Sequence, residues 1–448
     1  MNRREFSRIS ALGFGAAAIP GLAGGAGPAF AKGQGGVSGV PDGQALRTES
    51  RGSWFKQARF GMFISYSVYS ILGQGSWAVY LNQIPVHQYK KLMQQFNPTE
   101  FSARDWVQIA KDAGQRYITL IAKHRDGFSM YDTKLSDFSI MHTPFGRDLF
   151  GEVAQECHQQ GVTFNAYYQL RDWTNPAYRQ SFKPGTPLSK EYVDFVHGQV
   201  RELCSNYGPL GAVWFDGGSD HTPEQWHAHE LIAMIRQLQS DALVDDRTGL
   251  PGDFSTPEEA AGHFLPPKPG RLWERCMTMN DHWGYDSSGQ RYKDPDQIIQ
   301  LLVRTVAGGG NLLLNVGPEP TGKIDPTSTA NLRKAGEWLK RNGESIYGAE
   351  SFAPVYYDNV YTTRKGDRIY LHVFDWPPGA MCDFWFHPIG HVRRAYFLET
   401  GKPVRPTYSP LGLRLRVHNA NAVPSPDTVI AFEGCERWKP PNVLSVPT

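Results

Sequence analysis

From Trp54 onward, short apolar runs alternate with longer amphipathic ones, and the alternation persists for roughly three hundred residues. The apolar runs are "RFGMFISYSVY" (59–69), "RYITLIA" (116–122), "TFNAYY" (163–168), "GAVWFD" (211–216), "ALVDD" (242–246), "RCMTM" (275–279) and "NLLLNV" (311–316). Between them, residues 103–114, 190–208 and 224–239 read as helices; in the last two, apolar side chains recur at three- and four-residue spacing, as one helix face requires. Strands that alternate with helices build a parallel sheet, because each strand must return through a crossover. Seven or eight such units favour an α/β fold of the (β/α)8-type, a TIM-like barrel, over an open doubly wound sheet. An open sheet would also place a Gly-rich phosphate loop after its first strand, whereas "GGGN" at 308–311 precedes a strand.

After "ESIYG" (344–348) the texture changes. "RIYLHVFDW", "CDFWFHP", "RRAYFLE", "LRLRVH" and "TVIAFEG" are short alternating runs broken by Pro and Gly, which predicts a small C-terminal β-sandwich. The barrel is thus expected over residues 51–347 and the sandwich over 348–448. Residues 32–50 are Gly-rich and polar, a linker. Ahead of them, Arg3-Arg4, Phe6, a mildly apolar glycine-rich run and "AFA" at 29–31 resemble a twin-arginine signal peptide spanning 1–31. That predicts a periplasmic or secreted protein; a disordered basic tail is the alternative.

Lys and Arg number 46 against 44 Asp and Glu, so no nucleic-acid partner is implied. No later stretch reaches the ~20 apolar residues of a membrane span. The cysteines (Cys157, Cys204, Cys276, Cys382 and Cys435) are odd in number and widely spaced, neither a disulfide scaffold nor a zinc pattern. A chain folded in a reducing compartment needs no disulfide, although one pair closing after export stays open. Twelve Trp and twenty Tyr suit sugar stacking and large cores alike.

Barrel chemistry sits at the carboxyl ends of the strands. His124 and Asp126 follow the second apolar run; Tyr167, Tyr168, Asp172 and Trp173 end or follow the third. Asp216 ends the fourth, Arg247 and Glu258 follow the fifth, Glu274 lies in the sixth, and Trp283 and Tyr285 follow it. The set is rich in carboxylates and aromatics and lacks H-E-x-x-H or paired-His spacing, so no metal or other cofactor is implied. Two carboxylates flanking one bond suit glycoside hydrolysis. Asp216, in "VWFDGG", supplies one of them, with glycines that let a substrate approach closely; a turn-starting aspartate is the alternative.

"RFGMFI…YS", "FNPTEFSARDWVQIAKDAG", "YITLIAKHRDGF", "VWFDGG", "GDFSTPEE", "WERCMTMNDHWGY" and "NLLLNVGPEPTGKI" resemble, in order from about residue 50 to 345, the signatures of glycoside hydrolase family 29, the retaining α-L-fucosidases. The resemblance implies that Asp216 is the nucleophile and that Glu258, in "DFSTPEE", is the acid/base, with Glu274 in "WERC" its competitor. Glu259 reads as a solvated loop charge. It implies sugar contacts from His124, Arg247, Trp77 and Trp283, and Tyr168, Arg125, Ser65 and Glu274 complete the candidate set.

The chain also departs from the family. In "FGMFISYS", Ser65, Tyr66 and Ser67 stand where the family carries His, Trp and Gly. Arg125 replaces the second His of a pair, and Ser76 replaces an acidic residue. The resemblance implies that these positions recognise the sugar's axial O4 and its neighbours, where unmatched polar groups change selectivity by orders of magnitude. The expectation is an exo-acting α-L-glycosidase on an oligosaccharide or glycoconjugate. L-fucose is the first sugar, an α-L-glucoside or α-L-galactoside the second, and a carbohydrate-binding homologue without turnover is the alternative of another class.

Overall fold

The computed structural model describes residues 51–182, 186–258, 270–288, 291–352, 359–374, 376, 381–386, 392–409, 412–418 and 426–434. The signal and linker expected over residues 1–50, Glu259 and Cys435 lie outside them.

Eight strands form one parallel sheet: β1 Phe60–Ile64, β2 Tyr117–Lys123, β3 Thr163–Gln169, β4 Ala212–Asp216, β5 Leu243–Val244, β6 Phe254–Ser255, β7 Leu272–Thr278 and β8 Asn311–Val316. Their order is β5-β4-β3-β2-β1-β8-β7-β6, and a single parallel bridge, Asp245 to Phe254, joins the two edge strands. The fold is a (β/α)8-type barrel. Seven strands were legible in the sequence. The two-residue β6 was not, so Glu258 follows the sixth strand rather than the fifth, and Glu274 lies in the seventh. The first apolar run leaves the sheet at Ile64 and turns into a 3-10 helix over Val68–Leu72.

Strand periodicity sorts the side chains. Phe63, Tyr117, Tyr167, Trp214, Leu243, Phe254, Cys276 and Leu313, one from each strand, cluster inside the barrel. Their neighbours Met62, Ile118, Phe164, Val213 and Leu314 join the layer packed beneath the helices. Gly61 pairs with Tyr117, and a Cβ there would lie 2.3 Å from the tyrosine ring, so only glycine fits. Trp54 and Phe55, from the short helix Ser53–Ala58, belong to the same inner cluster; Trp54 meets Tyr117 edge-on at 5.6 Å.

The helices start where caps allow. Ser102, Asp148 and Ser189 accept from the backbone N–H three residues on, opening Ala103–Asp112, Leu149–Gln160 and Lys190–Asn206. Asp294 and Gln297 make a reciprocal capping box before Pro295–Ala307. No helix among the described residues is long and apolar enough to cross a membrane.

Two antiparallel sheets follow, ordered β13-β16-β11-β10-β9 and β12-β15-β14. Their strands are β9 Glu350–Ser351, β10 Val360–Lys365, β11 Arg368–Phe374, β12 Met381–Phe386, β13 Arg394–Phe397, β14 Thr407–Ser409, β15 Gly412–His418 and β16 Asp427–Glu433. They make the C-terminal β-sandwich that the alternating runs predicted. Alternation divides β11: Tyr370 and Phe374 pack into the barrel's core, and Ile369, Leu371 and Val373 into a second cluster.

Candidate active site

Asp216 is the last residue of β4, its side chain 17% exposed. Pairing in parallel strands puts Tyr167 beside Trp214 and Gln169 beside Asp216, so these four share the inner face. Asp216 Oδ2 accepts from the Tyr167 hydroxyl (2.8 Å), Gln169 Nε2 (2.8 Å) and Arg125 Nη2 (3.2 Å). Oδ1 accepts from the Gly217 amide (2.8 Å) and Arg247 Nη1 (2.9 Å). Burial alone would raise this carboxyl. The Arg247 and Arg125 charges and the Tyr167 hydroxyl outweigh burial and hold it below the ordinary carboxylate range.

The two glycines after Asp216 serve the protein. Gly217 has φ 76°, and a Cβ on it would lie 1.8 Å from Gln169 Oε1. One on Gly218 would lie 2.1 Å from the Arg247 carbonyl oxygen. They let the loops after β3 and β5 close around Asp216, whereas the sequence reading reserved the space for substrate.

Arg247 joins both candidate carboxylates. Nη1 reaches Asp216, and Nη2 reaches Glu258 Oε2 at 3.1 Å. Thr256 fixes the guanidinium through its hydroxyl, 2.8 Å from Nε, and its carbonyl, 3.0 Å from Nη2; the Trp214 ring lies 4.6 Å below. Glu258 is 46% exposed and faces solvent beside the site, where a leaving group and water can reach it.

Glu274 is placed differently. It is 1% exposed, deep in the barrel, and accepts from Trp214 Nε1 (3.0 Å) and from the Tyr117 hydroxyl. Burial pushes it up to about 7 against those hydrogen bonds. A raised carboxyl often marks a proton donor. Here both oxygens are taken by protein donors below Trp214, away from the carboxylates that Arg247 joins.

The loops after β1 to β3 complete the wall. A bulge between Ile121 and Lys123 shifts the β2 register, pairing Lys123 with Tyr168 on the outer face. His124 stacks on Tyr167 at 6.0 Å, and its Nδ1 is buried without a protein partner. Burial, then the Arg125 charge, keep this imidazole well below its usual range, so it is neutral at neutral pH. Arg125 lies 3.8 Å over Trp77 and 5.5 Å from Trp173, so one face of Trp77 is covered by protein. Trp283 packs on Phe63 at 5.8 Å, and its carbonyl accepts from the Ser76 amide, tying the loop after β7 to the loop after β1.

Two sequence readings are corrected. Tyr168 does not face the site: its hydroxyl donates to Gln199 at 2.8 Å and its ring lies under Lys123, because it is one residue out of phase with Tyr167. Ser65 is buried and donates to Asn315 Oδ1 on β8. Asp126 and Asp172 also turn inward. Asp126 meets Tyr89 and Ser67, and Asp172 caps Thr174 and Asn175. Gln169 was missed; counting two residues on from Tyr167 would have found it. Among the described residues no group of three or more His, Cys, Asp or Glu is placed to hold a metal ion.

A family model described as "Alpha-L-fucosidase" matches residues 39–344. The tissue alpha-L-fucosidase of Rattus norvegicus is 28% identical over 370 residues, covering 75% of this chain and 79% of that protein. Among solved structures, alpha-L-fucosidase isoenzyme 1 from Paenibacillus thiaminolyticus is 34% identical, with a TM-score of 0.79 over 87% of this chain and 100% of that one. A GH29 alpha-L-fucosidase of Bacteroides thetaiotaomicron, solved as a trapped covalent intermediate with 2-fluoro-fucosyl fluoride, is 26% identical. Its TM-score is 0.77, over 90% of this chain and 98% of that one.

Proposed function

That the chain belongs to the alpha-L-fucosidase family is the premise from which we propose how its site works. The protein is a retaining glycoside hydrolase that releases L-fucose from glycosides. Asp216 attacks the anomeric carbon while Glu258 gives its proton to the departing oxygen. Water, deprotonated by Glu258, then breaks the fucosyl ester and regenerates Asp216. The observation that carries this assignment is the single Arg247 guanidinium held between the two carboxylates at the carboxyl ends of the strands.

The roles follow from the surroundings. Asp216 is ionised and needs no base to become a nucleophile. Glu258 is open to solvent, as a group that both gives and takes a proton must be. His124, neutral and with a free ring nitrogen, suits hydrogen bonding to sugar hydroxyls. Arg125 replaces a neutral imidazole with a charge that already contacts Asp216, so in this chain sugar recognition and nucleophile support meet in one side chain.

Incubation with 2-fluoro-fucosyl fluoride, then peptide mass spectrometry, is the test. A fucosyl adduct on Asp216 is expected; an adduct elsewhere, or none, overturns the assignment. A panel of aryl α-L-glycosides should give the highest kcat/KM for the fucoside. The Arg3-Arg4 segment and "AFA" at 29–31 support export by a twin-arginine route. Replacing both arginines by lysine should retain the protein in the cytoplasmic fraction.

A further inference from the structure

The geometry points to Glu274 as a positioning residue for the reaction, acting through Trp214 on the groups that hold both catalytic carboxylates. Trp214 packs on Phe63 at 5.7 Å and has three further attachments. Its indole N–H donates to Glu274 Oε1 at 3.0 Å, its ring stacks on Tyr167 at 5.4 Å and 26°, and the Arg247 guanidinium rests on it at 4.6 Å. Tyr167 donates to Asp216, and Arg247 donates to Asp216 and Glu258. The indole is thus the shared floor under two of the nucleophile's donors, Tyr167 and Arg247, the second of which spans both carboxylates.

A ring slides and tilts unless something fixes its edge. Trp214 is 1% exposed, so no solvent competes for its N–H, and Glu274 is its hydrogen-bond acceptor. The second Glu274 oxygen is held by the Tyr117 hydroxyl, and Tyr117 is wedged against Gly61 and Trp54 at the opposite end of the barrel. Glu274 therefore couples the rigid bottom of the barrel to the floor of the site without meeting substrate.

This inference rests on Asp216 being the nucleophile, so its test reads the formation of the Asp216 adduct. The rate of inactivation by 2-fluoro-fucosyl fluoride is measured for the unaltered chain, Glu274→Leu, Glu274→Gln, Trp214→Phe and the Glu274→Leu/Trp214→Phe pair. Glu274→Leu should slow the adduct about tenfold, and Glu274→Gln, which keeps an acceptor for the indole, should recover all but about threefold. Trp214→Phe keeps a ring under Arg247 but has no N–H, so adding Glu274→Leu to it should cost less than about twofold more. A proton-transfer role for Glu274 would instead leave Gln as impaired as Leu on unactivated fucosides. Undiminished inactivation of Glu274→Leu, or losses that multiply in the pair, overturn the inference. Should Trp214→Phe fail to fold, the Leu-against-Gln comparison decides it alone. No adduct in the unaltered chain overturns the nucleophile assignment and this inference together.

Discussion

Asp216 illustrates how much of a carboxylate's behaviour is set by its neighbours. Five donors converge on two oxygens, two of them from arginines. Asp216→Ala should lower turnover at least about a thousandfold, with partial rescue by azide as the check. The same donors give Asp216 structural work. Removing it leaves the Arg125 and Arg247 charges without their shared partner, at a cost of roughly 1–3 kcal/mol. Its pKa is depressed on folding, so the stability it contributes is present above the ordinary aspartate range and is lost as pH falls through the folded value. Urea denaturation should show the gap between Asp216→Ala and the unaltered chain at neutral pH and see it close in strong acid. Glu274 carries the opposite sign. Raised to about 7, it favours the fold below the ordinary glutamate range, and that contribution is lost as pH climbs through 7. Glu274→Gln should gain about 2–3 kcal/mol on the unaltered chain between pH 4.5 and 7.5. Glu258→Ala should slow fucosides with basic leaving groups about a hundredfold or more and activated aryl fucosides far less, as a leaving-group series would report.

At the level of elements, the chemistry depends on where strands stop and loops turn. Gly218→Ala drives a methyl group into the Arg247 carbonyl, and should cost more than about 2 kcal/mol together with most activity, measured by thermal unfolding and kcat/KM. The long strands and the helices Ala103–Asp112, Lys190–Asn206 and Ala228–Leu238 were legible, because hydrophobic periodicity and caps are local signals. β6 was not: two residues carry no period, and Phe254 is in the sheet because the inner cluster has a place for it. Tyr168 was misread for a related reason. Sequence put two tyrosines at a strand end, but which one faces inward depends on register, fixed by pairing with Trp214 and Asp216. Ser65 and Arg125 were legible as departures, yet their partners, Asn315 and the Trp77–Trp173 pair, lie far off in sequence.

Over the whole molecule, one face of the five-stranded sheet is continuous with the barrel's core. Tyr370, Phe374, Tyr396, Val429 and Ala431 belong to the cluster that also contains the barrel's outward-facing strand residues. Within it, buried His372 bonds Asp427 at 2.6 Å and Thr363 at 3.1 Å, Thr363 donates to the Ser345 carbonyl, and Trp338 donates to the Asp427 carbonyl at 3.2 Å. Barrel and sheet should therefore melt in one calorimetric transition, and His372→Leu should lower it as a unit by about 2–4 kcal/mol. The barrel's own closure is far lighter. β5 and β6 have two residues each and meet at one bridge; Arg247 lies just beyond β5, and Glu258, past β6, is tied to the sheet by one bridge to Cys276 of β7, whereas Asp216 ends a five-residue strand paired along its whole length with β3. The staves are thus unequally hooped. The proposed nucleophile is mounted on the long-paired side, and the proposed acid/base, which would serve leaving groups of different bulk, lies beside the lightly paired one. Amide exchange should register this as early deuteration across residues 243–256 while β3 and β4 stay closed, a barrel that breathes at its thinnest join and holds still beneath Asp216.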